Sequence, residues 1–394
     1  MLHLGNLIAH INKNCNFYKD YSFGSLLEFP VVNKSILIQN YDRIKIIQNN
    51  IPDQVGPLFI QKTSGSTGTP FAVPQNTEKR NRRVAELKYF GTRVGFNSHD
   101  KLVHLRTWNR WQKKTKLQSL RENIIPYNVS QIDQKKLGDL CTLIKRNNIV
   151  ALRGYASSID LFVRYLAKKD IQLSSLRLII AGSESLLDST RELVKKHIGC
   201  SLISQYANEE NGILGQEELN DQELSPFYLN HASYIFEILK LDQDISAEYG
   251  ELGRIVITDL FNYSFPMIRY DTGDTGIMVA NDKYSNGYPV IEKIFGRRLD
   301  LVFNTSGSVV YPMAIARILK HYSNIVQWQF IQTDKADYIL KLITNSENKL
   351  TIEEIRKELL LLFGEDSNIE FQFINEIPVL ASGKRKSVIN NYKE

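Results

Sequence analysis

The densest chemistry in the chain lies in Thr63-Ser64-Gly65-Ser66-Thr67-Gly68-Thr69-Pro70. Glycines let backbone come close to a ligand, and exposed N–H groups in such a turn form an anion-binding concavity. The hydroxyls of Thr63, Ser64, Ser66 and Thr67 add donors that rotate onto phosphate oxygens, so a phosphate is the natural guest. The same composition also makes a plain surface loop, and the run lacks the Gly-Lys-Ser/Thr ending whose lysine reaches outer phosphates. Further on, Gln205-Tyr206-Ala207-Asn208-Glu209-Glu210-Asn211-Gly212 holds a glutamate pair that is either solvated or, opposite a phosphate loop, able to hold Mg²⁺, a hard cation that prefers oxygen ligands. Asp271 and Asp274, beside Gly273, read either as a hairpin turn or as a carboxylate that accepts both hydroxyls of a ribose.

Such groups act only when a scaffold positions them. Val55-Gly56-Pro57-Leu58-Phe59-Ile60-Gln61 reads as a turn entering a strand just before the hydroxyl loop, and 76–92 has helical apolar spacing. Strand-like runs at 149–152, 176–181 and 201–206 alternate with helical ones at 159–168 and 186–198, which predicts an α/β architecture with parallel strands. In such sheets ligands bind beyond the carboxyl ends of strands, where Ala181-Gly182-Ser183-Glu184 and the glutamate-bearing turn both fall. Residues 234–241 and 253–259 predict a second, mainly antiparallel sheet. Texture changes at Gly296-Arg297-Arg298-Leu299-Asp300, after which strand-like and helical runs make a small α+β domain. Residues 1–50 read as short helices in an N-terminal arm, with Asn33 or Ser35 as a cap. The tail Pro378-Val379-Leu380-Ala381-Ser382-Gly383-Lys384 reads, on its own, as a solvated basic turn.

At 394 residues, 43% hydrophobic and 23% charged, the chain has room for a large core and more than one domain. Its net charge of +6 suits an anionic substrate but is too diffuse for a nucleic-acid stripe. One basic and aromatic segment, with Arg106, Trp108, Arg110, Trp111, Lys113, Lys114 and Lys116, has the ingredients of a single-strand binder. A solvated basic loop or a contact for an acidic substrate is the favoured reading, because the patch is single and short. Cys15, Cys141 and Cys200 have no metal-type spacing, which predicts a reducing interior. With neither a signal-peptide pattern nor a bilayer-length apolar run, a cytoplasmic protein without a transmembrane segment is expected.

Taken in order, these pieces resemble the adenylate-forming ligases, in particular the phenylacetate–coenzyme A ligase branch with its capsule-biosynthesis relatives, from about Phe17 to Lys386. The resemblance implies a large N-terminal adenylation domain with α/β-layered sheets (1–298) and a smaller C-terminal α+β domain (299–394) that rotates about Asp300. It implies that Thr63, Ser64, Gly65, Ser66, Thr67 and Gly68 bind the ATP phosphates and that Glu210 binds Mg²⁺. Ala181, Gly182, Ser183, Glu184 and Tyr206 would border the adenine, Asp274 would hold the ribose, and Arg297 would contact the nucleotide. Lys384 is then the catalytic lysine, with Glu210 and Arg297 completing the catalytic set. Arg153, Tyr155, Ala181 and Ala207 would line the acid pocket. Five positions depart from the pattern: Ala207 for glycine, Glu209 for threonine, Asp271 for arginine, and Val379 and Leu380 in the stretch that leads to Lys384.

The implied reaction joins a carboxylic acid to AMP with release of pyrophosphate, then passes the acyl group to coenzyme A. The alternatives are an amine acceptor, such as an amino sugar of a surface polysaccharide, or a carrier thiol. Gln216 to His231 carries no cysteine, so zinc is not expected. A homodimer stays open. A rival class is a nucleotide- or nucleic-acid-binding module without catalysis; intact Lys384 and Glu210 argue against it.

Overall fold

Alternating apolar runs from Leu102 to Leu229 build one seven-stranded sheet, with strands in the order Ile124–Asn128, Leu102–Arg106, Ala151–Tyr155, Leu178–Gly182, Ser201–Asn208, Gly212–Gln216 and Tyr228–Leu229. The computed structural model describes every residue except 1, 20, 22–24, 63–70, 109–114, 131, 220–224, 282–286, 299–300, 311, 323, 345–348, 379–385 and 393–394. The first five strands of the sheet are mutually parallel and the last two are each antiparallel to their predecessor.

Helices Gln134–Asn147 and Ala156–Lys169 bury amphipathic faces against one side of this sheet, meeting Val103, Leu105, Leu152 and Ile179. Asp133 caps the first through Lys136 N at 2.7 Å. Both helices end on left-handed residues, Asn148 and Asp170, a conformation that asparagine and aspartate tolerate. On the opposite side Leu102, Ala151, Leu178, Ile180 and Ile203 form an apolar floor. Strand alternation continues that side into Arg106, Arg153 and Gln205, because Leu102 pairs with Ala151, Arg153 with Ile180 and Gly182 with Gln205. The floor therefore turns polar at the carboxyl ends of the strands.

A four-stranded antiparallel sheet follows, Tyr234–Leu239, Leu252–Asp259, Tyr270–Val279 and Val290–Arg297 in sequential order, as the strand pattern predicts. Helix Leu2–Asn14 packs Leu7 and Ile11 into the same core as Ile255, Ile257 and Phe265. The N-terminal helices are thus part of the main body rather than an arm on it. Asn33 does cap its helix, accepting from Ile36 N at 3.0 Å.

From Val302 onward the chain has a core of its own, including Ile315, Phe330, Leu340, Leu359 and Phe363. Helices Pro312–Lys320 and Lys349–Phe363 accompany a sheet ordered Asn368–Phe373, Asp337–Thr344, Ile325–Gln332 and Val388–Asn390. The last strand lies parallel to its neighbour, Phe330 opposite Val388 and Gln332 opposite Asn390. Gln329 Nε2 donates to the Lys386 carbonyl at 2.8 Å, and Phe330 N to the Ser387 carbonyl at 2.8 Å. The whole is a mixed α/β chain with a large N-terminal and a smaller C-terminal domain. Among the described residues no helix is long and apolar enough to cross a membrane.

Candidate active site

The Asp-Thr-Gly-Asp stretch is not a turn. It lies inside strand Tyr270–Val279, whose register shifts against both neighbours. Gly273 sits there at φ +78°, and a Cβ at this position would meet Arg297 Nη1 at 3.0 Å. The irregular strand brings three expected nucleotide residues together. Tyr206 Oη donates to Asp274 Oδ2 at 2.9 Å, and Arg297 Nε lies 3.3 Å from Asp274 Oδ1. Burial, then Asp274, pushes the Tyr206 phenol far up, so it stays a neutral donor. The same carboxylate raises Arg297 further, against its burial. Asp271, where the resembled family has arginine, is buried and accepts from Arg254 Nη1 at 2.9 Å. That departure is a core ion pair.

Glu209 and Glu210 occupy the tight turn between Ser201–Asn208 and Gly212–Gln216, so the segment expected as one loop is an antiparallel hairpin with Gly212 at φ +121°. The Glu210 carbonyl accepts from Gln75 Nε2 at 3.0 Å, and its largely buried carboxylate pairs with Lys34 Nζ at 3.4 Å. The Glu209 carboxylate lies between Gln61 Nε2 at 2.5 Å and Arg106 Nη2 at 3.1 Å, while Arg83 Nη1 donates to its carbonyl at 3.0 Å. Lys34, Gln61 and Arg83 escaped the sequence reading, because nothing local ties them to positions more than a hundred residues away.

Behind the hairpin, Lys79 and Asp259 are wholly buried and 2.6 Å apart. Tyr234 Oη accepts from Lys79 Nζ at 2.9 Å and donates to the Asn211 carbonyl at 2.8 Å, which joins the pair to the glutamate turn. Glu86 sits beside this cluster with neither carboxylate oxygen in a well-formed hydrogen bond among the described residues. Burial raises its pKa, with Lys79 opposing. A raised folded-state pKa means a contribution fully present below the unfolded carboxyl value and lost as pH climbs through the folded one. Glu86→Gln is therefore expected to raise the urea midpoint at pH 8 and to change it least at pH 4; an equal shift at both pH values would contradict this.

On the acid side, Gly154 is required by close packing, since a Cβ there would lie 2.6 Å from Leu105 Cβ. The neighbouring Arg153 donates from Nη2 to Gln205 Oε1. Burial, then repulsion from Arg106, lowers Arg153 to about 10. Ala181 is fully buried beneath this surface. Ser183 adopts φ +67°, and Glu184 accepts from Ser157 N at 2.8 Å, capping helix Ala156–Lys169 from a distance.

Tyr206, Asp274 and Arg297, the two hairpin glutamates and the acid-side groups line one cleft of about 2470 Å³ that also takes in Trp328, Lys386 and Ser387 of the C-terminal domain, whereas the Lys79–Asp259 and Arg254–Asp271 pairs are not part of its lining. The cleft includes Arg153, Tyr155, Ala181, Gly182, Ser183, Glu184, Tyr206, Ala207, Glu210, Asp274 and Arg297, every described residue to which the resemblance gave a part in binding or catalysis. Thr63, Ser64, Gly65, Ser66, Thr67, Gly68, Asp300 and Lys384 lie outside the described residues, as do Arg110, Trp111, Lys113 and Lys114 of the basic patch. The strands flanking the hydroxyl loop pair with each other, Lys62 opposite Ala72, and Gln61 and Lys62 reach the cleft. Lys320 bridges the domains by an ion pair with Glu192. Among the described residues no group of three or more His, Cys, Asp or Glu could hold a metal by itself.

Comparison with known proteins agrees with this layout. The family model for the CapK C-terminal domain matches residues 302–391. Over 406 aligned residues the chain is 24% identical to Protein CapK of Staphylococcus aureus, spanning 98% of this chain and 87% of that protein. A 2-hydroxyisobutyryl-CoA ligase in its postadenylation state, in complex with R3-HIB-AMP, superposes with a TM-score of 0.78 at 15% identity, covering 99% of this chain and 88% of the ligase. In its thioesterification state, in complex with 2-HIB-AMP and CoA, the TM-score is 0.61 at 17% identity over the same shares, 99% and 88%. An anthranilate CoA ligase in complex with anthranoyl-AMP gives 0.62 at 16% identity, covering 83% of this chain and 65% of that one. The chain has the fold of the adenylate-forming ligases.

Proposed function

We propose that the chain activates a carboxylic acid with ATP, forming an acyl-adenylate and pyrophosphate, and then hands the acyl group to coenzyme A. The observation that carries this is the convergence of Tyr206, Asp274, Arg297 and Glu210 on one cleft shared by two domains, in a chain with the adenylate-forming ligase fold. In the first step a carboxylate oxygen attacks the α-phosphorus, the bond from that phosphorus to the bridging oxygen breaks, and pyrophosphate leaves. Bringing one anion onto another is the obstacle, so positioning and charge neutralisation supply most of the rate.

Asp274, held between Tyr206 Oη and Arg297, keeps acceptor capacity for ribose hydroxyls. Thr63, Ser64, Ser66 and Thr67 hold the outer phosphates, and Glu210 receives the Mg²⁺ that travels with ATP. A lone carboxylate suits Mg²⁺, which takes one or two protein oxygens and fills its shell with phosphates and water. Lys34 must then yield part of its hold on Glu210. Lys384 places a compact charge between carboxylate and α-phosphate. In the second step the acceptor attacks the acyl carbon and AMP leaves. Likeness to ligases solved with CoA favours a thiol; an amine acceptor, such as an amino sugar, is the second reading.

The test is ATP–pyrophosphate exchange across aryl, fatty, amino and hydroxy acids, followed by transfer assays with coenzyme A and with amino sugars. Acid-dependent exchange is expected with at least one class. Folded protein that supports exchange with none would overturn the reading.

A further inference from the structure

Arg106 and Arg153 stand on adjacent parallel strands and on the same side of the sheet, with Arg153 opposite His104, so they are diagonal neighbours within reach of one small ligand. Arg83 approaches from helix Thr77–Arg93 and Glu209 from the hairpin, which sets three guanidiniums around the Glu209 carboxylate, while the Glu184 carboxylate is held on Ser157 N and Glu86 lies beside Arg83. Arg83 spends an N–H on the Glu209 carbonyl, and Arg106 shares one with the Glu209 carboxylate. Arg106 Nε is buried and without a hydrogen-bond partner among the described residues, in a side chain that lines the cleft. Buried polar atoms are ordinarily satisfied, and among the described residues no acceptor answers this N–H. A planar fork of N–H groups is the form of donor that matches a carboxylate.

We propose that the activated acid carries a second carboxylate, received by Arg106 and Arg153, so that the substrate is a dicarboxylic acid of which only one end is adenylated. The inference rests on the proposed function and narrows it. A site built around paired guanidiniums rejects an analogue that lacks the group, because the donors are then left buried and unanswered.

The experiment compares exchange kinetics for matched acids: succinate against butyrate, glutarate against valerate, and phthalate against benzoate. At least one diacid is expected to exceed its monoacid partner by at least about 100-fold in kcat/KM, more than an apolar pocket alone would give and short of the about 10⁴-fold that fully hydrogen-bonded sites reach. Arg153→Met and Arg106→Met are each expected to erase most of that preference through KM for the diacid, with ATP binding kept. Exchange in the native protein that favours the monoacids overturns this inference alone, with no variant needed. A diacid preference that survives both substitutions also overturns it. Absence of exchange with every acid defeats the proposed function itself, and this inference with it.

Discussion

Lys384→Ala is expected to cut adenylate formation about 100- to 1000-fold, the usual cost of losing one preorganised partner of a developing charge. ATP binding is expected to persist, because Asp274, Tyr206 and Arg297, the residues proposed to hold the nucleoside, are bonded to one another without this side chain. Lys384 itself lies outside the described residues, but Lys386 and Ser387 line the cleft and are tied to strand Ile325–Gln332. Equilibrium dialysis with ATP and pyrophosphate exchange separate the two effects. Unchanged exchange would remove Lys384 from the reaction. Lys384→Arg is expected to rescue poorly, since a planar guanidinium does not replace a compact ammonium.

Asp259→Ala is expected to destabilise the fold by about 3–5 kcal/mol, the range found when one partner of a buried ion pair is removed. Lys79 would keep its charge only at the cost of burial in a site with no exposure at all, and burial already lowers its pKa. The carboxylate also accepts from Phe261 N at 3.0 Å and from Asn211 Nδ2 at 3.3 Å, so its loss loosens the turn that carries Glu210. Urea titration reads the stability. Adding Lys79→Met to Asp259→Ala is expected to recover a large part of it, because an apolar replacement of both partners leaves no stranded charge. A double variant no more stable than the single one would place the cost elsewhere.

The parallel sheet was legible because its strands are short apolar runs set between helical ones, as in Leu178–Gly182 and Ser201–Asn208. The small C-terminal domain was legible for the same reason. Residues 116–147 hold two helices and strand Ile124–Asn128 that went unread; the strand is half-buried and contains a proline, so its pattern is weak. The strand Tyr270–Val279 was masked by good turn chemistry. Local preference for a turn lost to ladder bonds on both sides and to the burial of Asp271 against Arg254. At the cleft, motif residues were nominated, but their restraints were not. Lys34 meets Glu210 across 176 positions, a pairing that only the fold creates.

The edge strand Val388–Asn390 has a practical corollary for handling this protein. Residues 379–385 are followed within a few positions by a stretch bonded to the centre of the small sheet, and Asn390 Nδ2 donates to the Leu301 carbonyl at 2.7 Å, beside the domain junction. Trimming the chain after Lys386 would therefore remove at one stroke the strand that follows the lysine-bearing segment and the side chain that ties it to the domain junction.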